Sequence, residues 1–219
     1  MEIENVSPSD IERISMKIIE SELGDTSHLS EGEKLVVKRV IHATADFEYL
    51  DNLKFSENAV EIAKDILKNG AVIVTDTQMA FSGISKPAVR ELGCEIHCFM
   101  SDGDVAENAK KSGTTRAAAS VDKASEIFPD KNLIFVVGNA PTALIRICEL
   151  AEKSKLKPSF VVGTPVGFVN VVQSKKMLMQ TDIPYIISEG RKGGSTVSAA
   201  VCNALLYQIY DRKTGKIID

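Results

Sequence analysis

Three side chains able to hold or move a proton recur at helical spacing in Arg39-Val40-Ile41-His42-Ala43-Thr44-Ala45-Asp46-Phe47-Glu48-Tyr49. Arg39, His42 and Asp46 stand at i, i+3 and i+7. A helix continuing through Asp46 would put a cation, an imidazole and a carboxylate on one face. Such a set can do general acid–base chemistry, because histidine changes charge near neutral pH. The plainer reading is a histidine near a helix C-terminus that only complements the helix dipole. The elements that must position His42 decide between the two.

Ser30 and Glu33 form a capping-box pattern that starts the His42 helix, and Val36, Val37, Val40 and Ile41 should face a core. Ahead of it, Ser7-Pro8-Ser9-Asp10 starts another helix, with Ser7 at the N-cap and Ile11, Ile14, Ile18 and Ile19 marking an apolar face to about Leu23. A third helix runs from about Ser56 to Lys68, with Val60, Ala63 and Leu67 on one stripe, and Asn69-Gly70 stops it. After Gly70 the pattern changes. Ala71–Thr75, Cys94–Met100, Leu133–Val137, Phe160–Val162 and Pro184–Ile187 read as strands, the first a continuous β-rich run suited to burial on both faces. Segments with helical character separate them: Lys86–Leu92, Val105–Lys111, Arg116–Ile127, Thr142–Lys153 and Val169–Met179. A last helix runs from Ser195 to about Tyr210, and Lys213–Asp219 reads as a frayed tail. The expectation is one domain over 1–219, with a helical segment at 7–69 and a parallel α/β region at 70–211. Its fold class is α/β: a three-layer αβα, doubly wound, mostly parallel five-stranded sheet with N-terminal helices.

Composition narrows the function. A chain of 219 residues with 44% hydrophobic and 26% charged residues is an ordinary globular composition. A net charge of −4 gives no overall basic balance for nucleic acid or an acidic membrane surface. No apolar run reaches the length of about 20 residues that spans a bilayer. Met1-Glu2-Ile3-Glu4-Asn5 is acidic and unlike a signal peptide, so a cytoplasmic location is expected. Cys94, Cys98, Cys148 and Cys202 are scattered; all four read as small reduced core residues, with Cys94 and Cys98 on one strand face. His97 reads as a buried or edge histidine and His28 as solvated. No metal site is expected.

In a doubly wound sheet, ligands bind outside the carboxyl ends of the strands. Five polar or glycine-rich segments fall at that edge: Thr75–Met79, Gly113–Arg116, Gly138–Thr142, Gly163–Gly167 and Ser188–Ser195. Each can aim backbone N–H groups, and the positive end of a helix, at an anion. One such contact contributes only about 0.3–1 kcal/mol when exposed, so several converging loops point to a large or multiply anionic ligand. Any single loop could be no more than a tight turn. As a set they also carry Arg116, Arg191 and Lys192. G-x-G-x-x-G after the first strand, a P-loop, Gly-x-Ser-x-Gly and a Cys–His–acid grouping are all missing, which leaves proton transfer by His42 as the most economical chemistry.

Taken in order, Arg39–Asp46, Gly113-Thr114-Thr115-Arg116-Ala117-Ala118, Gly138-Asn139-Ala140-Pro141-Thr142-Ala143-Leu144, Gly163-Thr164-Pro165-Val166-Gly167-Phe168-Val169 and Gly190-Arg191-Lys192-Gly193-Gly194-Ser195 resemble the precorrin-8X methylmutase family, isomerases of corrin-ring (cobalamin, vitamin B12) biosynthesis. The resemblance runs from about Ser7 to Tyr207. It implies methyl migration between adjacent carbons of precorrin-8X or cobalt-precorrin-8, giving hydrogenobyrinic acid or cobyrinic acid. It further implies a homodimer with the corrinoid site near the subunit interface, and no cofactor or catalytic metal. His42 falls on the family's catalytic histidine, thought to protonate a ring nitrogen. Ser15, Arg39 and Arg116 fall on substrate-binding or active-site positions, and Thr115, Asn139 and Arg191 sit in the matching loops. Where the family often has Arg-Ser-Phe this chain has Ile14-Ser15-Met16, and where it often has Glu after Pro-Val-Gly-Phe-Val this chain has Gln173. A many-carboxylate macrocycle suits glycine loops and arginines. Spacing alone adds that Asp46 would tune His42 if the helix reaches it. Two rivals make different demands: a non-catalytic corrinoid carrier would bind pigment without a spectral change over time, and an unrelated nucleotide or sugar-phosphate enzyme would be stabilised by nucleotides.

Overall fold

The computed structural model describes residues 6–218; Met1–Asn5, whose acidic character argued against a signal peptide, lie outside the described residues, as does Asp219. Along the chain come α1 (Pro8–Glu22), α2 (Glu31–Thr44), α3 (Tyr49–Asn52), β1 (Leu53–Phe55), α4 (Ala59–Lys68) and β2 (Val72–Thr75). Next are α5 (Gln78–Gly83), α6 (Lys86–Glu91), β3 (Glu95–His97), α7 (Gly103–Lys111), α8 (Arg116–Ile127) and β4 (Leu133–Val137). The rest is α9 (Pro141–Glu152), β5 (Phe160–Gly163), α10 (Val171–Met179), β6 (Tyr185–Ser188), α11 (Ser195–Leu206) and a hairpin of β7 (Tyr210–Asp211) with β8 (Lys216–Ile217).

The main sheet has the order β1-β6-β5-β4-β2-β3. Its five predicted strands are all present and mutually parallel. A sixth, β1, was read as part of the helical segment. It pairs antiparallel with β6, Leu53 opposite Ser188. Three residues are too few to show a period; the strand exists because the open edge of β6 offers its backbone groups a partner. β3 is shorter than expected and stops before Cys98, since its one neighbour β2 runs out at Thr75. The tail expected to fray instead folds back, with Tyr210 opposite Ile217, and α11 correspondingly ends at Leu206.

Strand residues alternate between two cores, as a pleat requires. Ile73, Ile134, Val136, Phe160, Val162 and Ile186 face the layer containing α2, α4 and α11. Val72, Val74, Leu133, Phe135, Val137, Val161 and Ile187 face the layer of α8, α9 and α10. Each fully buried side chain of this size contributes about 1.5–3 kcal/mol relative to exposure, so a register slip in any inner strand would be prohibitive.

The His42 helix begins as read. Ser30 Oγ accepts from the Glu33 N–H at 3.3 Å, and Glu33 accepts from the Ser30 N–H at 2.8 Å. Val36, Val37, Val40 and Ile41 are buried. α2 lies against α11 in the opposite direction: the Gln208 side chain reaches the Gly32 carbonyl at 3.2 Å, beyond the end of α11, while the far end of α2 meets the loop entering α11. His42 is thereby carried to the carboxyl edge of the sheet. α1 covers α2 only in part: Ile19 is buried, but Ile11 and Ile18 of its apolar face are exposed.

Candidate active site at the carboxyl edge

In the parallel strands the chain turns one way from β2 to β3 and the other way from β4 through β6. The topological switch point is therefore between β2 and β4. Asp76 follows β2 directly and spans this crevice. Its carboxylate accepts from the N–H groups of Gly138, Asn139 and Ala140 at 2.8, 2.8 and 2.7 Å. Burial pushes the Asp76 carboxyl up, against the pull of those three N–H groups. These are N–H groups that the glycine-rich loop was expected to offer to a ligand. They are already used, so this loop has its exposed Asn139 side chain to present.

The other edge loops are tied pairwise. Thr77 caps α5, whose first residues Gln78 and Met79 had been read as loop, and its hydroxyl lies 2.8 Å from that of Ser195. Thr115 caps α8 by accepting from the Ala118 N–H at 3.2 Å, and its hydroxyl meets Thr142 at 2.7 Å. Gly194 donates to the Thr164 carbonyl at 2.8 Å and Gly167 to that of Arg191 at 3.2 Å. Gly193, at φ +155°, has room for no side chain, because a Cβ there would be driven into the Thr164 carbonyl. Gly138 likewise passes so close to Ser195 and Ser198 that a Cβ would collide with both.

The predicted site residues divide into two groups. At the edge, Thr115, Arg116, Asn139 and Arg191 are exposed. Arg191 lies with its guanidinium 5.3 Å from the ring of Phe168, which is itself 80% exposed. Neither Arg116 nor Arg191 forms an ion pair among the described residues. His42, in the last turn of α2, is exposed and has no hydrogen bond among the described residues.

Ser15 and Arg39 belong to a second group, on the α1–α2 flank. Arg39 is paired with Glu12 at 2.7 Å and stacks 5.4 Å from the centre of the Tyr207 ring. Arg212 covers the same ring at 4.7 Å and also pairs with Glu12. Burial raises the Glu12 carboxyl, but hydrogen bonds from Arg212 and Arg39 outweigh it and hold the group below its ordinary value. Ser15, one turn along α1, gives its hydroxyl to the Ile11 carbonyl at 2.8 Å. Tyr207 caps the far end of α11, about 18 Å from Ser195 by helix rise, so Arg39 leans away from the edge loops.

The helix that carries His42 does not reach Asp46. The helix stops at Thr44, with Ala45 in the left-handed conformation at φ 53°. The Asp46 carboxylate takes Lys192 at 2.5 Å instead, and Glu48 joins at 2.9 Å. The Lys192 ammonium holds the Asp46 carboxyl below the usual carboxylate range. This clasp neutralises Lys192, which was counted among the cations of the edge, and fastens the end of α2 to the β6–α11 loop.

Sequence reasoning gave Asp76 and Thr142 no role beyond membership of the edge loops and did not single out Lys175. The last left a readable trace: Val171, Ser174, Lys175 and Leu178 stand at i, i+3, i+4 and i+7 and are all buried, so a lysine sits on a core stripe. Of the cysteines, Cys94, Cys148 and Cys202 are buried free thiols, as read, whereas Cys98 lies beyond β3 and is half-buried. His97 is on the edge strand, half-buried and stacked on Phe99 at 5.6 Å. A cleft of about 710 Å³ opens at the opposite, amino edge beside Cys148, Leu156 and Pro184, and it contains none of the site residues.

Fold and site together define a doubly wound α/β protein whose carboxyl edge presents a histidine and two arginines without partners among the described residues, and an exposed aromatic ring. The chain belongs to the precorrin-8X methylmutase family, a family of isomerases, whose model matches residues 10–208. It is 44% identical to the cobalt-precorrin-8 methylmutase of Leptospira interrogans, covering 90% of this chain and 91% of that one. It is also 44% identical to the protein of the same name from Salmonella typhimurium, over 92% and 96% of the two chains. The crystal structure of precorrin-8x methyl mutase from Thermus thermophilus superposes with a TM-score of 0.84 at 41% identity, covering 91% of this chain and 95% of that one.

Proposed function

We propose that this enzyme moves a methyl group between adjacent carbons of the cobalt-precorrin-8 macrocycle, with His42 as the acid. Preference for the cobalt-containing substrate over precorrin-8X rests on the names of the two 44%-identical relatives. The observation that supports the mechanism is that His42 is exposed, without a hydrogen bond among the described residues, in the last turn of the helix whose end Asp46 fastens to the β6–α11 loop. One carbon–carbon bond breaks as its neighbour forms, and an isomerisation has no net gain of atoms. The proton that His42 lends to a ring nitrogen must therefore be recovered in the same turnover. General acid catalysis of this kind contributes about 10²–10⁴-fold. Arg116 and Arg191 hold peripheral carboxylates, with Thr115 and Asn139 as hydrogen-bonding partners. His42→Ala should bind the pigment and lose its spectral conversion; conversion at the wild-type rate would defeat the proposal.

The same reading includes a homodimer. Arg39 is engaged with Glu12 and Tyr207 and Ser15 with the Ile11 carbonyl, and Ile11, Ile18 and Leu35 leave apolar surface on that flank. Met79, Val166, Phe168 and Val169 leave more at the carboxyl edge. Pairing two copies so that the flank of one covers the edge of the other would bury both surfaces and complete the site. We assign the reaction to the cytoplasm, which fits a biosynthetic isomerase; among the described residues no helix is long and apolar enough to cross a membrane.

A further inference from the structure

Lys175, on α10, is the only buried cation among the described residues. Its ammonium has three donors and three partners: the Gly190 carbonyl at 2.9 Å, the Lys192 carbonyl at 2.8 Å and Ser188 Oγ at 3.2 Å. Ser188 passes its own hydroxyl proton to the same Lys192 carbonyl at 2.8 Å. The two carbonyls flank Arg191, whose guanidinium is left outside over Phe168. Burying a charge with no opposing charge is unfavourable, and an apolar side chain would fill the space at lower cost if packing were all that was needed. The bonds made in return all shape one turn, and that turn presents an unpaired arginine.

We infer that Lys175 is a positioning residue, which holds the Gly190–Lys192 turn from beneath and so aims Arg191 at a carboxylate of the substrate. This rests on the proposed role of Arg191 in binding. Among the described residues no carboxylate pairs with the buried charge. On its own helix the neighbouring Lys176 is a like charge; across the sheet edge, Glu189 is half exposed and faces Lys54 at 4.0 Å, Arg191 turns to Phe168, and Lys192 is occupied by Asp46 and Glu48. Burial alone accordingly lowers the Lys175 ammonium to about 8. Above that pH the neutral amine keeps two N–H donors for three acceptors, so Ser188, Gly190 and Lys192 together are held by one bond fewer. Lys192 is raised above its ordinary value by Asp46 and Glu48 and does not titrate in this window.

The test is the pH dependence of kcat and KM for cobalt-precorrin-8, from well below to well above pH 8. For the wild type, KM should rise roughly 10-fold through pH 8, the loss of about one hydrogen bond to a charged group, with kcat nearly flat. Lys175→Met should show the higher KM at every pH and no alkaline limb. Lys175→Arg, which stays charged, should keep a low KM and also lose the limb. Because Lys175 acts through Arg191, adding Lys175→Met to Arg191→Ala should leave KM unchanged. A wild-type KM that is flat through pH 8, or independent effects of the two substitutions, would overturn the inference. If Lys175→Met does not fold, the wild-type profile and Lys175→Arg decide. Failure of the underlying reading looks different: Arg191→Ala alone would leave KM unaltered, or the wild type would not convert the pigment at any pH.

Discussion

Arg191 and Arg39 are both arginines that the sequence offers to a carboxylate, and the fold treats them in opposite ways. Arg39 already has its carboxylate, Glu12 at 2.7 Å, and its stacking partner Tyr207. Arg191 has a stacking partner, Phe168, and no carboxylate among the described residues. The same contrast separates the two regions they stand in. On the α1–α2 flank, charges are matched within the chain: Arg212 also pairs with Glu12, and Lys34 and Lys38 with Glu20. At the carboxyl edge, Arg116 and Arg191 are unpaired while the backbone around them is fastened by Asp76, by Lys175 and by the Asp46–Lys192 clasp. A rigid frame with unsatisfied cations suits capture of an anionic ligand, since little ordering is left to oppose binding. The flank, with its charges satisfied and isoleucines exposed, has the character of a surface that waits for protein.

That contrast can be broken most sharply by mixing subunits. If the flank of one copy serves the edge of its partner, co-expressed Arg39→Ala and Arg116→Ala chains should form hybrid dimers with one intact site each, and about half the wild-type turnover per hybrid by two-fold symmetry. If both groups serve one subunit, the hybrids will be as inactive as either parent. A smaller effect is expected from Arg191→Ala, for which KM at pH 7 should rise about 10–100-fold with kcat little changed, the loss of a hydrogen-bonded charge contact. Arg13→Ala, on an exposed flank pair, should not alter KM. Asp76→Asn tests the frame rather than the ligand. It sets an amide donor against one of the three N–H groups and should lower the urea-unfolding free energy by about 2–3 kcal/mol. The smallest effect belongs to Asp46→Asn: the clasp is solvent-accessible, so the urea midpoint should hardly move, and a large loss of stability would show that it is more than a surface pair.

How much of this was legible depended on how local each signal is. The capping box at Ser30, the buried stripe of α2 and the limits of α8 and β4 were readable because a helix cap or a run of five apolar residues is decided by neighbours in sequence. β1 was not, since three residues carry no period and the strand exists only through its pairing with β6. Asp46 was placed one turn too far along a helix that ends at Thr44, and its real partner lies 146 residues away. Asp76 was noticed only as part of a polar loop; that its carboxylate would consume the amides of the Gly138 loop could not be seen, because the contact spans the switch point between β2 and β4.

By itself, then, the order of residues determined most of the element types, with β1, α5 and the β7–β8 hairpin as exceptions, the doubly wound architecture, the set of edge loops and the family to which the chain belongs. These follow from patterns within a few turns of chain, or from motifs whose order along the chain is sufficient. Only the tertiary structure decided which cations remain free. Charge is neutralised by whatever lies within a few ångströms, and Glu12, Asp46 and Asp76 find their partners across 27 to 200 residues of chain, while Lys175 finds its own from below the loop.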